Sequence, residues 1–109
     1  MTPEGKLVAY IRRRVRELDG ECRKCSWEGR VGAPDLLVML RGRHFWIECK
    51  APGESPRPAQ VREHRLMRDA GGCIVYVSDS PESAETILRQ ECGKLPQFEP
   101  LIIIGRRHE

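Results

Sequence analysis

The sequence predicts an α/β domain in which a central mixed β-sheet is flanked by helices, in the order α-β-β-β-α-β-α. Three observations carry that prediction. Apolar residues recur at helical spacing at the start of the chain, after residue 58 and again after residue 80. Two apolar runs, Leu36–Leu40 and His44–Cys49, flank Arg41-Gly42-Arg43, the pattern of a β-hairpin around a glycine turn. The strand-helix-strand unit from Phe45 to Val77 is expected to form a right-handed parallel crossover. A chain of 109 residues bounds this to a single domain, 1–109, with room for one sheet and its helices.

The elements follow in order. Thr2 caps a helix whose first turn holds Pro3, and Leu7, Val8, Ile11, Val15 and Leu18 form its apolar stripe until Gly20. Glu4 falls on the same stripe, where a first-turn carboxylate also answers the helix dipole. Glu21 to Trp27 reads as the first strand, and 28–34 is the loop that delivers Asp35. The hairpin strands are apolar on both faces, as central strands covered by helices should be. Ala51 to Arg57 is a Pro-Gly-Ser loop. Pro58 opens a helix that runs to Ala70 and ends at Gly71-Gly72, with Gln60, His64, Met67 and Gly71 on one face. Cys73 to Val77 is a short strand. Ser80-Pro81 starts the last helix, with Ala84, Ile87, Leu88 and Glu91 down one side. Residues 94–109 form a C-terminal extension. Its bare apolar run, Leu101–Ile104, must pack on the domain, add a strand or meet a second subunit.

Chemistry concentrates at the hairpin. A two-residue turn at Arg41-Gly42 pairs Leu40 with Arg43 and sets Asp35 opposite Glu48. A turn at Gly42-Arg43 sets Asp35 opposite Lys50 instead. Glycine at the second turn position favours the first. Either register puts Asp35, Glu48 and Lys50 on one face at one end of the hairpin. Charges in apolar surroundings neutralise, pair or bind metal. Two carboxylates with room for water suit Mg2+ or Mn2+, and a lysine beside them can orient a water or steady a developing negative charge. A surface hairpin carrying a Glu–Lys ion pair would use the same residues.

Net charge is only +3, yet arginines crowd at 12–16, at Arg62, Arg65 and Arg68, and at Arg106-Arg107. Those three apart on the helix after Lys50 are placed to bind a DNA backbone. Five cysteines, an odd number, with no signal peptide and no apolar run of transmembrane length, point to reducing cytosol. Cys22-Arg23-Lys24-Cys25 has knuckle spacing without the second pair that would complete a zinc site.

Gly32-Ala33-Pro34-Asp35, a strand, then Glu48-Cys49-Lys50 resembles the PD-(D/E)xK nuclease superfamily. With Arg30 ahead of Gly32-x-Pro34-Asp35, Gln60 early in the next helix and Glu4 at the start, it resembles more narrowly the virus-type replication-repair nuclease family, VRR-NUC. The resemblance spans Glu4 to the helix after Ser80. It implies a restriction-endonuclease-like core and a metal-dependent DNA endonuclease. Asp35 and Glu48 would bind Mg2+ or Mn2+, joined by the Cys49 main-chain carbonyl and reached by Glu4. Lys50 would position or activate water, and Gln60 would complete the outer part of the site. Members made of this domain alone imply a homodimer that cuts branched DNA such as four-way junctions, in a bacterial or phage-infected cytosol. Two other readings use the same residues: a non-catalytic nucleic-acid-binding module, and a small interaction protein that docks a partner through Leu101–Ile104.

Overall fold

The computed structural model describes residues 1–96; the apolar Leu101–Ile104, Arg106 and Arg107 lie outside the described residues. The expected order is found: α1 (Pro3–Glu17), β1 (Glu21–Lys24), β2 (Leu36–Leu40), β3 (Arg43–Cys49), α2 (Pro58–Gly71), β4 (Val75–Ser78) and α3 (Pro81–Cys92). The four strands lie side by side in sequence order. The first three pair antiparallel, and β3 pairs parallel with β4 after the α2 crossover. The result is the mixed α/β sheet of a restriction-endonuclease-like fold.

Local chemistry fixes the ends of these elements. The Thr2 hydroxyl accepts from Gly5 N at 3.0 Å and opens α1. Ser80 and Ser83 bond reciprocally at the start of α3. Gly72, at φ 65°, closes α2 in the left-handed conformation. At the hairpin, Arg41 (φ 55°) and Gly42 (φ 76°) are both left-handed, the signature of a type I′ turn, and Leu40 pairs with Arg43. That is the first of the two registers read from the sequence.

One face of the sheet packs on α1 and α3. Leu36, Val38, Leu40, Phe45, Ile47 and Cys49 meet Leu7, Ile11 and Val15 from α1 and Ala84, Ile87 and Leu88 from α3. The helices are also joined to each other: the Glu85 carboxylate accepts from Tyr10 Oη at 2.7 Å and Arg14 Nε at 2.5 Å. The fully buried Glu91 pairs with Arg43 Nε at 2.7 Å and accepts from the Tyr76 hydroxyl, locking the end of α3 to the hairpin. The opposite face carries Glu48 and Lys50, and α2 covers that end.

Two strands differ from expectation. β1 stops at Lys24 rather than Trp27, because the chain turns so that the Trp27 ring can pack on Trp46, with centroids 5.1 Å apart. β4 begins at Val75 rather than Cys73, because Cys73 N still bonds to Met67 O at 3.1 Å as part of the α2 ending. No helix of the described residues is long and apolar enough to cross a membrane.

Candidate active site

The Leu36–Ile47 pair, carried one step further, sets Asp35 opposite Glu48 at the end of the hairpin. Cys25 N still reaches Asp35 O at 2.7 Å, so the backbone of Asp35 is held as a strand although the strand proper starts at Leu36. The register also explains the proline. Trp46 N donates to Ile74 O just ahead of β4 and Lys50 N to Ser78 O within it, so the alternate residues of β3, Cys49 among them, turn their peptide groups toward β2. Position 34 falls opposite Cys49, and proline has no N–H to give. The Cys49 carbonyl is thereby left without a ladder donor beside the two acids.

The loop before Asp35 is pinned along its Arg-x-Gly-x-Pro-Asp run. Arg30 Nη2 pairs with Glu63 Oε1 of α2 at 2.5 Å. Gly32, at φ 87°, lies so close to α2 that a Cβ there would sit 2.7 Å from Ala59 O. Pro34 O accepts from Trp27 Nε1 at 2.5 Å. The loop is thus clamped between α2 and the tryptophan pair, and Asp35 inherits that order.

Glu48 and Lys50 are each only 8% exposed, although both are charged residues. Burial, with the negative charges of Asp35 and Glu4 added and Lys50 opposing, pushes the Glu48 carboxyl up to about 7. Gln60 Nε2 donates to Glu48 Oε2 at 3.2 Å, while Gln60 Oε1 accepts from Arg57 N at 2.8 Å. Its amide is therefore fixed at both ends, by Glu48 of β3 and by the start of α2. Glu4 is exposed rather than buried on its helical stripe. It faces Asp35 across a recess of about 450 Å3 that Val8, Arg12 and Lys24 also line. A larger recess, about 670 Å3, lies at the other end of the hairpin around Leu37, Met39 and His44, away from the acids.

The arrangement suits an oxygen-seeking divalent cation. It sets two carboxylates opposite each other at one strand end with the Cys49 main chain beside them, and burial first, then the neighbouring negative charges, keeps Glu48 raised. It is not a closed cage: among the described residues, no three His, Cys, Asp or Glu side chains are gathered to hold a metal ion. Mg2+ is commonly held by one or two carboxylates and keeps several waters. Cys22 and Cys25 are free and half-buried.

Arg62, Arg65 and Arg68 are exposed on α2, and Arg68 Nη1 also donates to Val75 O at 3.3 Å. His64, whose place among these arginines suggests a phosphate contact, is instead 2% exposed and turned to Glu48. Helical spacing puts it on the face of Gln60 and Met67, and the packing follows that spacing. Trp27, Glu63 and His64 are the supports that sequence reasoning gave no such role; His64 carried a signal in its face, and Arg30 one in its motif, but neither pointed to its partner.

No family model matches the chain. It is 39% identical over 82 residues to "Putative nuclease p44" of Acyrthosiphon pisum secondary endosymbiont phage 1, a match covering 74% of this chain and 88% of that protein. It is also similar to a solved structure described as a VRR_NUC domain, at 38% identity and a TM-score of 0.74, covering 82% of this chain and 97% of that one.

Proposed function

The chain belongs to the VRR-NUC nuclease-domain family, and from that premise we propose that it is a Mg2+- or Mn2+-dependent endodeoxyribonuclease acting as a homodimer on branched DNA. The observation that carries this reading is the acid pair at one strand end, with Glu48 buried, raised to about 7 and held by Gln60.

When bound, the cation supplies charge neutralisation at the phosphate and an acidified water. Asp35, Glu48 and the Cys49 carbonyl would provide its oxygen donors. Gln60 holds one Glu48 oxygen and leaves the other to the cleft. Lys50 orients the attacking water or steadies charge at phosphorus. Glu4 adds negative charge from the far wall of the recess. Arg62, Arg65 and Arg68 grip the DNA backbone beside the cut.

A symmetric four-way junction takes two opposed cuts, and a two-fold dimer supplies two sites from one surface patch. The described chain ends at Pro96 beside the hairpin turn, where Arg43 Nη1 donates to Leu95 O at 2.9 Å. That is the rim of the open recess around Leu37 and Met39, and the apolar Leu101–Ile104 follows a few residues later. A non-catalytic nucleic-acid-binding module is the second reading, favoured because no three His, Cys, Asp or Glu side chains among the described residues are gathered to hold a metal ion.

The test is cleavage of four-way, flapped, single-stranded and linear DNA with Mg2+, Mn2+ or a chelator. Light scattering accompanies it, with Ile103→Asp alongside. Paired symmetric cuts in the junction and twice the chain mass, lowered by Ile103→Asp, are expected. Binding without metal-dependent cutting would favour the second reading. A monomer, or preference for linear duplex, would remove the junction and dimer while leaving the nuclease standing.

A further inference from the structure

Each oxygen of the Glu48 carboxylate faces a different residue of α2. Gln60 Nε2 donates to Oε2 at 3.2 Å. His64 Nε2 stands 4.0 Å from Oε1, too far for a hydrogen bond. That nitrogen is buried and has no partner among the described residues. Buried polar atoms are nearly always satisfied, because leaving one bare costs free energy, so an orphan aimed at a functional carboxylate calls for an explanation. The ring also lies beside the Gly32 main chain, which acts to raise its proton affinity. Burial, with the Arg68 charge next, holds the imidazole below its usual proton affinity. Packing alone does not account for this ring. An apolar side chain of the same size would fill the volume without burying an unpaired nitrogen.

The placement has a consequence for both acids. Gly32 stands three residues before Asp35 and touches the Ala59 main chain of α2. His64 therefore lies beside the Asp35 loop at Gly32 and faces Glu48 with Nε2. It lies one helical turn from Gln60, so one face of α2 sets both halves of the acid pair. The 4.0 Å gap leaves Glu48 Oε1 bordered but unsaturated, free to turn to a cation.

Resting on the nuclease reading above, we propose that His64 is a positioning residue: it holds the Asp35 loop and the Glu48 carboxylate in mutual register, so that both acids meet one divalent cation. Partners of this kind, one step removed from a metal, change metal affinity or activity by about 10–100-fold when removed. The imidazole itself touches neither metal nor DNA.

The test compares native protein with His64→Leu, which keeps the packing and loses both nitrogens, and His64→Asn, whose amide keeps a polar nitrogen on this face of α2. Mn2+ affinity by calorimetry, without DNA, is read beside kcat and KM for cleavage and beside Tm. His64→Leu is expected to weaken Mn2+ binding about tenfold or more and to lower kcat, with KM for DNA within about twofold. His64→Asn is expected to recover part of the Mn2+ affinity, because a polar group again stands between the loop and Glu48. Native Mn2+ affinity and kcat in a folded His64→Leu protein would overturn the proposal, as would loss confined to Tm. If neither variant folds, Mn2+ binding is read on Gly32→Ala, whose loop is displaced; unchanged affinity there also overturns it. Failure of the native protein to cut DNA while Mn2+ affinity still depends on His64 would refute the nuclease reading and keep the positioning role.

Discussion

Glu48→Gln should make the protein more stable above pH 7 while removing its activity. In an unfolded chain a glutamate loses its proton near 4.5, whereas the fold holds the Glu48 proton to about 7. The folded state thus binds that proton more tightly than the unfolded state. Stability contributed by Glu48 is therefore fully present below about 4.5, declines as pH rises through the interval to about 7, and is lost above it. At about 1.4 kcal/mol per tenfold change, the interval corresponds to about 3 kcal/mol. Burial is the first cause, so a neutral amide of the same shape escapes the cost. Urea unfolding at pH 5 and pH 8, with a chelator present, measures it. The two proteins should differ little at pH 5, and Glu48→Gln should gain about 3 kcal/mol at pH 8, or roughly 10 °C in Tm. Adding Mn2+ at pH 8 should raise the native protein and leave Glu48→Gln unmoved. Equal pH dependence in the two proteins would refute the reasoning, since Glu48 would then titrate as an ordinary surface acid.

Three further outcomes are expected. Gly32→Ala should lose about 1–3 kcal/mol, because the φ of 87° is strained for any side chain and its Cβ would press on Ala59 O; Gly29→Ala, left-handed at φ 72° with nothing within 4 Å, should lose less by the same urea assay. Replacing Arg62, Arg65 and Arg68 with glutamine should weaken DNA binding and flatten its salt dependence by about 0.9 in log–log slope for each phosphate no longer neutralised; an unaltered slope would mean that this face meets only solvent. Glu4→Gln should raise the metal requirement for cleavage more than it lowers Tm, since a first-turn charge contributes only about 0.3–1 kcal/mol to a helix; unchanged kinetics with a slightly lower Tm would return Glu4 to a helix-dipole role.

Much of this architecture was legible in the sequence because local rules govern it. Gly42 at the second turn position selects the I′ turn, the turn fixes the register, and the register alone brings Asp35 opposite Glu48. Caps at Thr2 and Ser80 and the glycines after Ala70 place the helix ends. Gln60 needed the family resemblance, because an exposed polar residue in a first turn looks the same. What stayed hidden is long-range. The Arg30–Glu63 pair spans 33 residues and the Arg43–Glu91 pair spans 48, and no periodicity links such partners. The end of β1 is set by the Trp27 ring finding Trp46, a tertiary interaction that overrides the weak alternation of Glu21 to Trp27. The sequence neighbours of His64 are arginines, while its spatial neighbours are Glu48 and Gly32, so its surroundings in the chain point the wrong way.

The most direct measurement is nicking of supercoiled DNA by native protein, Asp35→Ala and Lys50→Ala, each first shown to be folded, with Mg2+, with Mn2+ and with a chelator. The account predicts that the native protein nicks only when divalent metal is present and that both variants are inactive, with metal binding lost in Asp35→Ala and largely kept in Lys50→Ala. Native cutting that survives the chelator, or near-native cutting by either folded variant, would contradict it.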